Sequence, residues 1–134
     1  MRVLITFIAV AVAAVLLAVL PRVTAGSDEA SARSSEARAV AARFLRTINA
    51  RRFETTCSLM SARFYRENHV PSRERCVLGL RVGFTWAPTY RFKNAEANLR
   101  DDAAVVDTLA NGVPGQIVLV LEAGEYKVLS VRGA

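Results

Sequence analysis

This chain of 134 residues is poor in the side chains from which metal and redox sites are built, with two cysteines and one histidine. Cys57 and Cys76 lie 19 positions apart with His69 between them, so neither CxxC nor HxxxH spacing occurs. Structural zinc sites usually take four such ligands, and thioredoxin-like redox pairs use CxxC. A catalytic cysteine would depend on His69, which we expect in an exposed loop. The sequence therefore predicts no metal site and no cofactor.

Lysine is also scarce, with 2 lysines against 16 arginines, and the formal net charge is +6. Without residues 1–25, which hold two arginines, the balance is 16 − 12 = +4. The arginines are spread among acidic residues, and no zinc finger, basic helix or aromatic-basic RNA motif is present. We therefore expect a solvated positive face and no nucleic-acid partner. A weak attraction to anionic lipid headgroups is the alternative.

Charge is absent from residues 3–20, VLITFIAVAVAAVLLAVL. A run of this length is typical of a transmembrane helix. It exceeds the ~7–15 residues of a signal-peptide core, and Arg22 follows it. Both features favour a retained anchor within residues 1–25, although cleavage after Ala25 and secretion remain the alternative. We predict a single-pass protein of the cell membrane, with residues 26–33 as a tether and the C-terminal domain outside the cytoplasm.

The two cysteines fit a disulfide bond. An even number of cysteines after an export segment is typical of an oxidising compartment. Cys57 and Cys76 fall on the inward faces of two adjacent short helices. Closing a loop of about 20 residues stabilises a fold by roughly 3 kcal/mol in the chain-entropy model. Two buried free thiols are the alternative. The bond would agree with a domain outside the cytoplasm.

Helical periodicity is confined to the first part of residues 34–134, which have the length of one domain. One helix is predicted from Ser34 or Ser35 to about residue 50. A second is predicted over Phe53–Met60, with a further turn or two over residues 61–68. Pro71 interrupts the pattern, and a third helix runs from Ser72 to about residue 82. The apolar face of the first helix comprises Ala37, Val40, Ala41, Phe44, Leu45 and Ile48.

The second part of the domain alternates with a period of two, which is typical of strands. The predicted strands are Tyr90–Leu99, Ala103–Ala110, Gln116–Glu122 and Tyr126–Arg132, and the last three form a meander. Amphipathic helices and a one-sided sheet bury their apolar faces against one another. The predicted class is α+β, with three helices packed on a four-stranded antiparallel sheet and one hydrophobic helix preceding them.

This order of elements resembles the NTF2-like superfamily, whose members are cone-shaped α+β domains. The likeness covers about residues 35–132. It rests on AVAARFLRTINARRFETTCSLMS, on the closing segment GQIVLVLEAGEYKVLSVRG, and on an aromatic at Tyr126. It is a likeness of element order and spacing, without a signature motif, to the small extracytoplasmic members found in bacterial envelope proteins and lipoproteins. The resemblance implies a concavity between the sheet and the long helix.

We expect a non-catalytic, membrane-tethered binding or interaction module of the cell envelope. Its partner would be an apolar ligand or an envelope protein, and residues 3–20 would contact the membrane. The stretch GFTWAPTY, residues 83–90, is predicted to be an irregular loop that presents aromatic side chains, which contribute large contact areas at low entropy cost. The predicted contact residues are Phe84, Trp86, Tyr90, Phe44 and Phe64. A cone filled by these side chains is the alternative.

The alternative function is a small NTF2-like enzyme of the isomerase or dehydratase type. Asp107 is the polar residue of an otherwise apolar strand, AVVDTLA. If it faced into the cone, burial would raise its pKa and mark a site. If it faced outward, it would be an ordinary strand residue. The sequence contains no Ser-His-Asp arrangement, phosphate loop or paired metal carboxylates, so we expect no enzymatic activity.

Overall fold

Four helices precede a five-stranded antiparallel sheet in the described part of the chain. The computed structural model describes residues 28–84, 89–93 and 96–133. The predicted α+β class is confirmed, with one more helix and one more strand than the sequence pattern indicates. The hydrophobic helix predicted at residues 3–20 lies outside the described residues. No helix within the described ranges is both long and apolar enough to cross a bilayer.

Residues 28–49 form the first helix, α1. The start predicted at Ser34 or Ser35 is wrong, because residues 28–33, which the sequence pattern assigns to the tether, are already helical. No glycine or proline occurs between Gly26 and Pro71, so nothing in the backbone forces a break before the two serines. Their hydroxyl groups suit a helix cap but do not require one.

The apolar face predicted for α1 is confirmed. Its members recur at helical spacing and are buried, except for Val40, which is partly buried. They pack on the inner face of the sheet in one cluster. From the sheet, that cluster includes Ala104, Val106, Ile117, Leu119, Tyr126 and Val128.

Three short helices follow α1: α2 over Phe53–Ser58, α3 over Ala62–Glu67 and α4 over Arg73–Gly83. The helices predicted in these regions are confirmed, with boundaries shifted by one or two residues. Ser61 and Ser72 cap α3 and α4, each accepting a hydrogen bond from the backbone N–H three residues later. Such caps satisfy donors that a helix start leaves without partners.

Cys57 in α2 and Cys76 in α4 form the predicted disulfide, with Cα atoms 6.0 Å apart. Both half-cystines are buried. Cys76 is the single residue of α4 that is fully buried, whereas Leu78 and Val82 are exposed. The attachment of α4 therefore depends strongly on this covalent link.

The strands are β1 (Tyr90–Phe92), β2 (Asn98–Arg100), β3 (Ala103–Ala110), β4 (Val113–Glu122) and β5 (Glu125–Gly133). They lie in the order β1-β3-β4-β5, and β2 pairs with β3 beside β1. All pairs are antiparallel. The predicted meander of the last three strands is confirmed.

The single strand predicted over Tyr90–Leu99 is wrong, because it divides into β1 and β2. Phe92 pairs with Thr108, and Asn98 pairs with Val105. From Phe92 to Asn98 the chain advances by six residues, whereas the paired positions on β3, Thr108 and Val105, are three residues apart. A continuous ladder requires equal numbers, so β1 and β2 are separate strands. The apolar pattern of the segment does not reveal the three extra residues.

Strand β4 begins at Val113, three residues before the predicted start. The turn consists of Asn111 and Gly112 alone, both with positive φ, at 51° and 79°. Two-residue turns of this kind match the twist of a hairpin. Pro114 is tolerated in β4 because it precedes the pairing of β4 with β5, which starts at Gly115 and Gly133. Proline is accepted where a strand has an open side.

The outer edge of β5 is covered at one place by the connection between α2 and α3. Met60 and Val128 form a parallel bridge. The backbone N–H of Val128 donates to the Leu59 carbonyl at 2.8 Å, and the Ser61 N–H donates to the Val128 carbonyl at 2.8 Å. The carboxylate of Glu122 accepts from the backbone N–H groups at the start of α3. These bonds hold the α2–α3 connection against the sheet.

Candidate functional site

A concavity of about 440 Å³ lies at the end of the sheet where β3 ends, β4 begins and β5 ends. The register brings these strand ends together, since Thr108 is opposite Gly115 and Gly115 is opposite Gly133. The volume falls in the range of small-molecule sites, about 300–1,000 Å³. The described lining residues are Phe84, Tyr90, Thr108, Ala110, Asn111, Val113, Gly115, Val131, Arg132 and Gly133.

Two aromatic side chains form one wall of the concavity. Phe84 follows the last turn of α4, and its backbone N–H donates to the Leu80 carbonyl at 2.8 Å. Tyr90 is the first residue of β1. The two ring centroids are 6.1 Å apart with planes inclined by 46°, a spacing at which aromatic pairs attract one another. Both rings are half-buried, so each keeps some surface for contact with a ligand.

The amide of Asn49 fixes the position of Tyr90. Its Nδ2 donates to the Tyr90 carbonyl at 2.8 Å, and its Oδ1 accepts from the Tyr90 N–H at 2.9 Å. Asn49 is the last helical residue of α1. One side chain thereby satisfies both backbone groups of a strand residue, as a neighbouring strand would. The aromatic wall is thus tied to the long helix.

We expect Asn49→Ala to lower the free energy of unfolding by about 1–3 kcal/mol, because both backbone groups of Tyr90 lose their partner in a half-buried setting. Urea unfolding followed by circular dichroism measures this change. Asn68→Ala is the matched control, since the Asn68 amide makes a local, exposed bond to the Phe64 carbonyl. That control should change stability by less than about 0.5 kcal/mol. Equal losses in both variants would contradict the bracing role of Asn49.

Gly115 lies at the bottom of the concavity, where it contributes no side chain. A Cβ atom at this position would lie 2.6 Å from the Arg132 carbonyl oxygen and 3.2 Å from the Thr108 hydroxyl oxygen. Strands β4 and β5 therefore approach one another here too closely for any other residue. Because glycine has no side chain, the space next to Gly115 remains part of the concavity.

The described lining is mainly apolar and aromatic, and its titratable side chains are Tyr90 and Arg132. Apolar walls with a few polar groups are typical of small-molecule sites. Thr108 is buried, whereas Asn111 and Arg132 are exposed at the rim. In the described ranges, no three His, Cys, Asp or Glu residues lie together as metal ligands would. The apolar and aromatic side chains of this lining can contact a ligand, and its few polar groups can orient that ligand.

The structure separates the five predicted contact residues. Phe84 and Tyr90 line the concavity. Phe44 belongs to the apolar face of α1 and is buried in the core. Phe64 lies on α3, with its ring centroid 5.3 Å from that of Tyr65, and it does not line the concavity. Trp86 lies outside the described residues, as do residues 85–88 of the predicted loop.

Asp107 lies on the other face of β3. Consecutive strand residues point to opposite faces, and its neighbours Val106 and Thr108 are buried on the inner face. The Gln116 amide donates to the Asp107 carboxylate at 3.2 Å, across the pair that the register makes opposite. The side chain is partly exposed. Asp107 therefore contributes nothing to the concavity.

Two other polar residues also lie elsewhere. The Tyr65 hydroxyl donates to the Cys57 carbonyl at 2.8 Å. Burial disfavours the charged phenolate and raises the pKa of Tyr65, although nearby Arg73 opposes this shift. Through this hydrogen bond, Tyr65 of α3 holds the carbonyl of Cys57 in α2. His69 is exposed in the turn between α3 and α4, as its sequence context predicts.

Phe92 is covered by a different group. The Arg38 guanidinium lies 3.2 Å from the centroid of the Phe92 ring, in the position of a cation–π contact. Burial lowers the pKa of Arg38. This pair joins α1 to β1 at a distance from the concavity lining, so Phe92 acts in packing.

The residues that the strand ends contribute to the concavity are not among the contact residues predicted from the sequence. Small residues such as Ala110 and Gly115 carry no chemical signal of a site. They come together only through the register of β3, β4 and β5. The density of glycine in NGVPG and VRG was the available signal, because glycine in a strand often marks a close approach.

Comparison with known proteins adds no further assignment. No protein-family model matches the chain. No curated protein is significantly similar to it in sequence.

Proposed function

We propose that this chain is a non-catalytic binding module of the cell envelope, which takes an apolar or amphipathic small molecule into the concavity at the end of its sheet. The observation that carries the proposal is the lining: apolar and aromatic walls around about 440 Å³, with polar groups at the rim. A general base must lie within hydrogen-bond reach of the substrate proton. The described lining offers a phenol and a guanidinium, which suit binding better than proton abstraction.

The proposed architecture is an NTF2-like cone. The long helix α1 packs on an antiparallel sheet through the apolar face between residues 37 and 48, and the concavity opens at one end of that sheet. These features support the resemblance found in the sequence. In this arrangement, the concavity is the mouth of the cone, and Phe84 and Tyr90 form its aromatic lip.

The proposed location is the outer face of the cell membrane, with residues 3–20 as the anchor. The disulfide between Cys57 and Cys76 supports this location, because such bonds persist in oxidising compartments. Cleavage after Ala25 would instead yield a secreted binding module with the same site.

The binding proposal is tested with a long-chain fatty acid that carries an alkyl diazirine. The full chain is reconstituted in phosphatidylcholine nanodiscs, exposed to the probe, irradiated and mapped by peptide mass spectrometry. We expect labelling of peptides that contain Phe84, Tyr90 and Val131. Ala110→Phe fills the concavity and should reduce this labelling about tenfold, the consequence of losing roughly 1.4 kcal/mol of binding.

Ala39→Phe is the matched control, because it adds the same side chain on an exposed position of α1. The control should label like the parent chain. Equal labelling of the Ala110→Phe variant and the parent would reject the concavity as a ligand site. Labelling would then reflect general affinity of the probe for apolar surface.

A further inference from the structure

A second groove, separate from the concavity, lies between the C-terminal part of α1 and the start of α2. Its volume is about 720 Å³. Three of its described lining residues are arginines, and none is acidic. The described lining comprises Arg43, Arg46, Thr47, Asn49, Ala50, Arg52 and Thr55.

The arginines reach the groove from two walls. Arg43 and Arg46 are three residues apart on α1, a spacing that places them on one side of a helix. Arg52 lies on the α2 side of the groove, directly before the first residue of α2. All three side chains are exposed. None of them takes part in the ion pairs or side-chain hydrogen bonds formed between described residues.

The two walls are held at a fixed separation. Arg51 adopts a left-handed conformation with φ of 60°, which reverses the chain after α1. The backbone N–H of Arg52 donates to the Thr47 carbonyl at 2.8 Å. The Thr56 hydroxyl donates to the Thr47 hydroxyl at 2.9 Å in a buried position. The groove is therefore formed before any ligand arrives.

The acidic residue nearest in sequence is engaged elsewhere. The Glu54 carboxylate pairs with the Arg81 guanidinium of α4 at 3.5 Å. The groove therefore retains three positive charges without a neutralising carboxylate in its described lining. Guanidinium groups bind phosphate oxygens in a planar, two-pronged geometry that lysine does not reproduce. Thr55 belongs to the same lining, and its hydroxyl can donate a hydrogen bond to an oxyanion.

We infer that the groove binds a phosphate group, supplied either by an anionic lipid headgroup or by a free phosphate ester. This site is distinct from the concavity and does not depend on the proposed function. Cations near the C-terminal end of a helix also stabilise that helix through its dipole. If these arginines served only to stabilise the end of α1, lysine at the same positions would serve equally well.

The experiment compares four forms of the full chain in neutral detergent micelles. The groove variant is Arg43→Gln/Arg46→Gln/Arg52→Gln. The charge-matched control is Arg66→Gln/Arg75→Gln/Arg91→Gln, at exposed positions outside the groove. A third variant, Arg43→Lys/Arg46→Lys/Arg52→Lys, keeps the charge and the helix-end cations but loses the guanidinium geometry. Thermal unfolding of each form verifies that it is folded.

Inorganic pyrophosphate is titrated into each form and followed by backbone amide shifts at residues 43–55. We expect saturable shifts in the parent and the control, and binding at least ~10-fold weaker in the groove variant, because each lost charged hydrogen bond is worth about a factor of ten. The lysine variant should also bind more weakly while unfolding at the temperature of the parent. Raising the salt concentration should weaken binding, since the arginines are exposed.

A second arm replaces pyrophosphate with phosphatidylglycerol mixed into the micelles. Shifts in this arm alone, lost in the groove variant, identify the lipid headgroup as the source of the phosphate. Shifts with pyrophosphate show that the groove binds a free phosphate group without a lipid. Equal weakening in the groove variant and the charge-matched control overturns the inference, because net charge would then explain the binding. Absence of shifts in both arms overturns it as well.

Discussion

Removing the disulfide with Cys57→Ala/Cys76→Ala should lower the free energy of unfolding by about 3 kcal/mol, the value for a loop of this length. The loss should be concentrated in α4, Arg73–Gly83, because Cys76 is its single fully buried residue. Hydrogen exchange should therefore show that the amides of α4 lose protection well before those of β3 and β4. Urea unfolding gives the total change in free energy.

Chemical reduction of the disulfide in the parent chain is the control for this prediction. Reduction of the parent chain should lower its stability to about that of the double variant, whereas the variant itself should not respond. Protection of the α4 amides in the double variant would contradict the prediction. In that case, half-buried Val77 and Leu80 would be sufficient to hold the helix.

Gly115→Ala should lower the free energy of unfolding by about 2–3 kcal/mol, a typical result of forced overpacking. The new Cβ would lie 2.6 Å from the Arg132 carbonyl oxygen. Because that atom belongs to the backbone, the clash can be relieved only by separating β4 from β5. The same methyl group would intrude on the floor of the concavity, so labelling by the diazirine fatty acid should also fall.

Gly79→Ala is the matched control and should have the opposite sign. A Cβ at Gly79 meets nothing within 4 Å, and alanine is favoured over glycine within a helix by about 1 kcal/mol. We therefore expect α4 to become more stable by up to about that amount. A Gly115→Ala variant as stable as the parent would show that β4 and β5 separate at little cost, and the close approach would lose its structural meaning.

Elements with an uninterrupted pattern were predictable from the sequence. Strand β3 was predicted with its observed bounds, Ala103–Ala110, because its largely apolar run is bounded by turn residues on both sides. Strand β5 was also predicted to within one residue at each end, Tyr126–Arg132 against the observed Glu125–Gly133. In these cases, local periodicity and tertiary packing require the same residues.

Errors arose where local chemistry permits two outcomes. Ser34 can cap a helix or lie within one, and its hydroxyl instead donates to the Ala97 carbonyl at 3.3 Å. The preceding Arg33 donates to the Tyr126 hydroxyl and to the Asp101 carbonyl. These contacts with distant residues hold Arg33 and Ser34 in place within the helix, and no property of the local segment indicates them.

The candidate site was predictable only through its aromatic members. Phe84 and Tyr90 were identified because large aromatic side chains in a loop stand out in a sequence. Phe44 has the same chemical type but belongs to the core, and only the packing of α1 distinguishes the two roles. Whether Phe84 and Tyr90 contact a ligand stays a prediction, which the fatty-acid probe tests.

The cover on the outer edge of β5 lies within the loop that the disulfide closes. Leu59 and Ser61 form the backbone hydrogen bonds to Val128 on either side of the bridge at Met60, and all three residues lie between Cys57 and Cys76. A strand edge without such a cover is a template for pairing with a second molecule. Reduction would loosen the covering segment and leave the edge of β5 open to strand addition. The oxidation state of one bond would then set the tendency of this domain to self-associate, and a thiol reductant would promote association that increases with protein concentration.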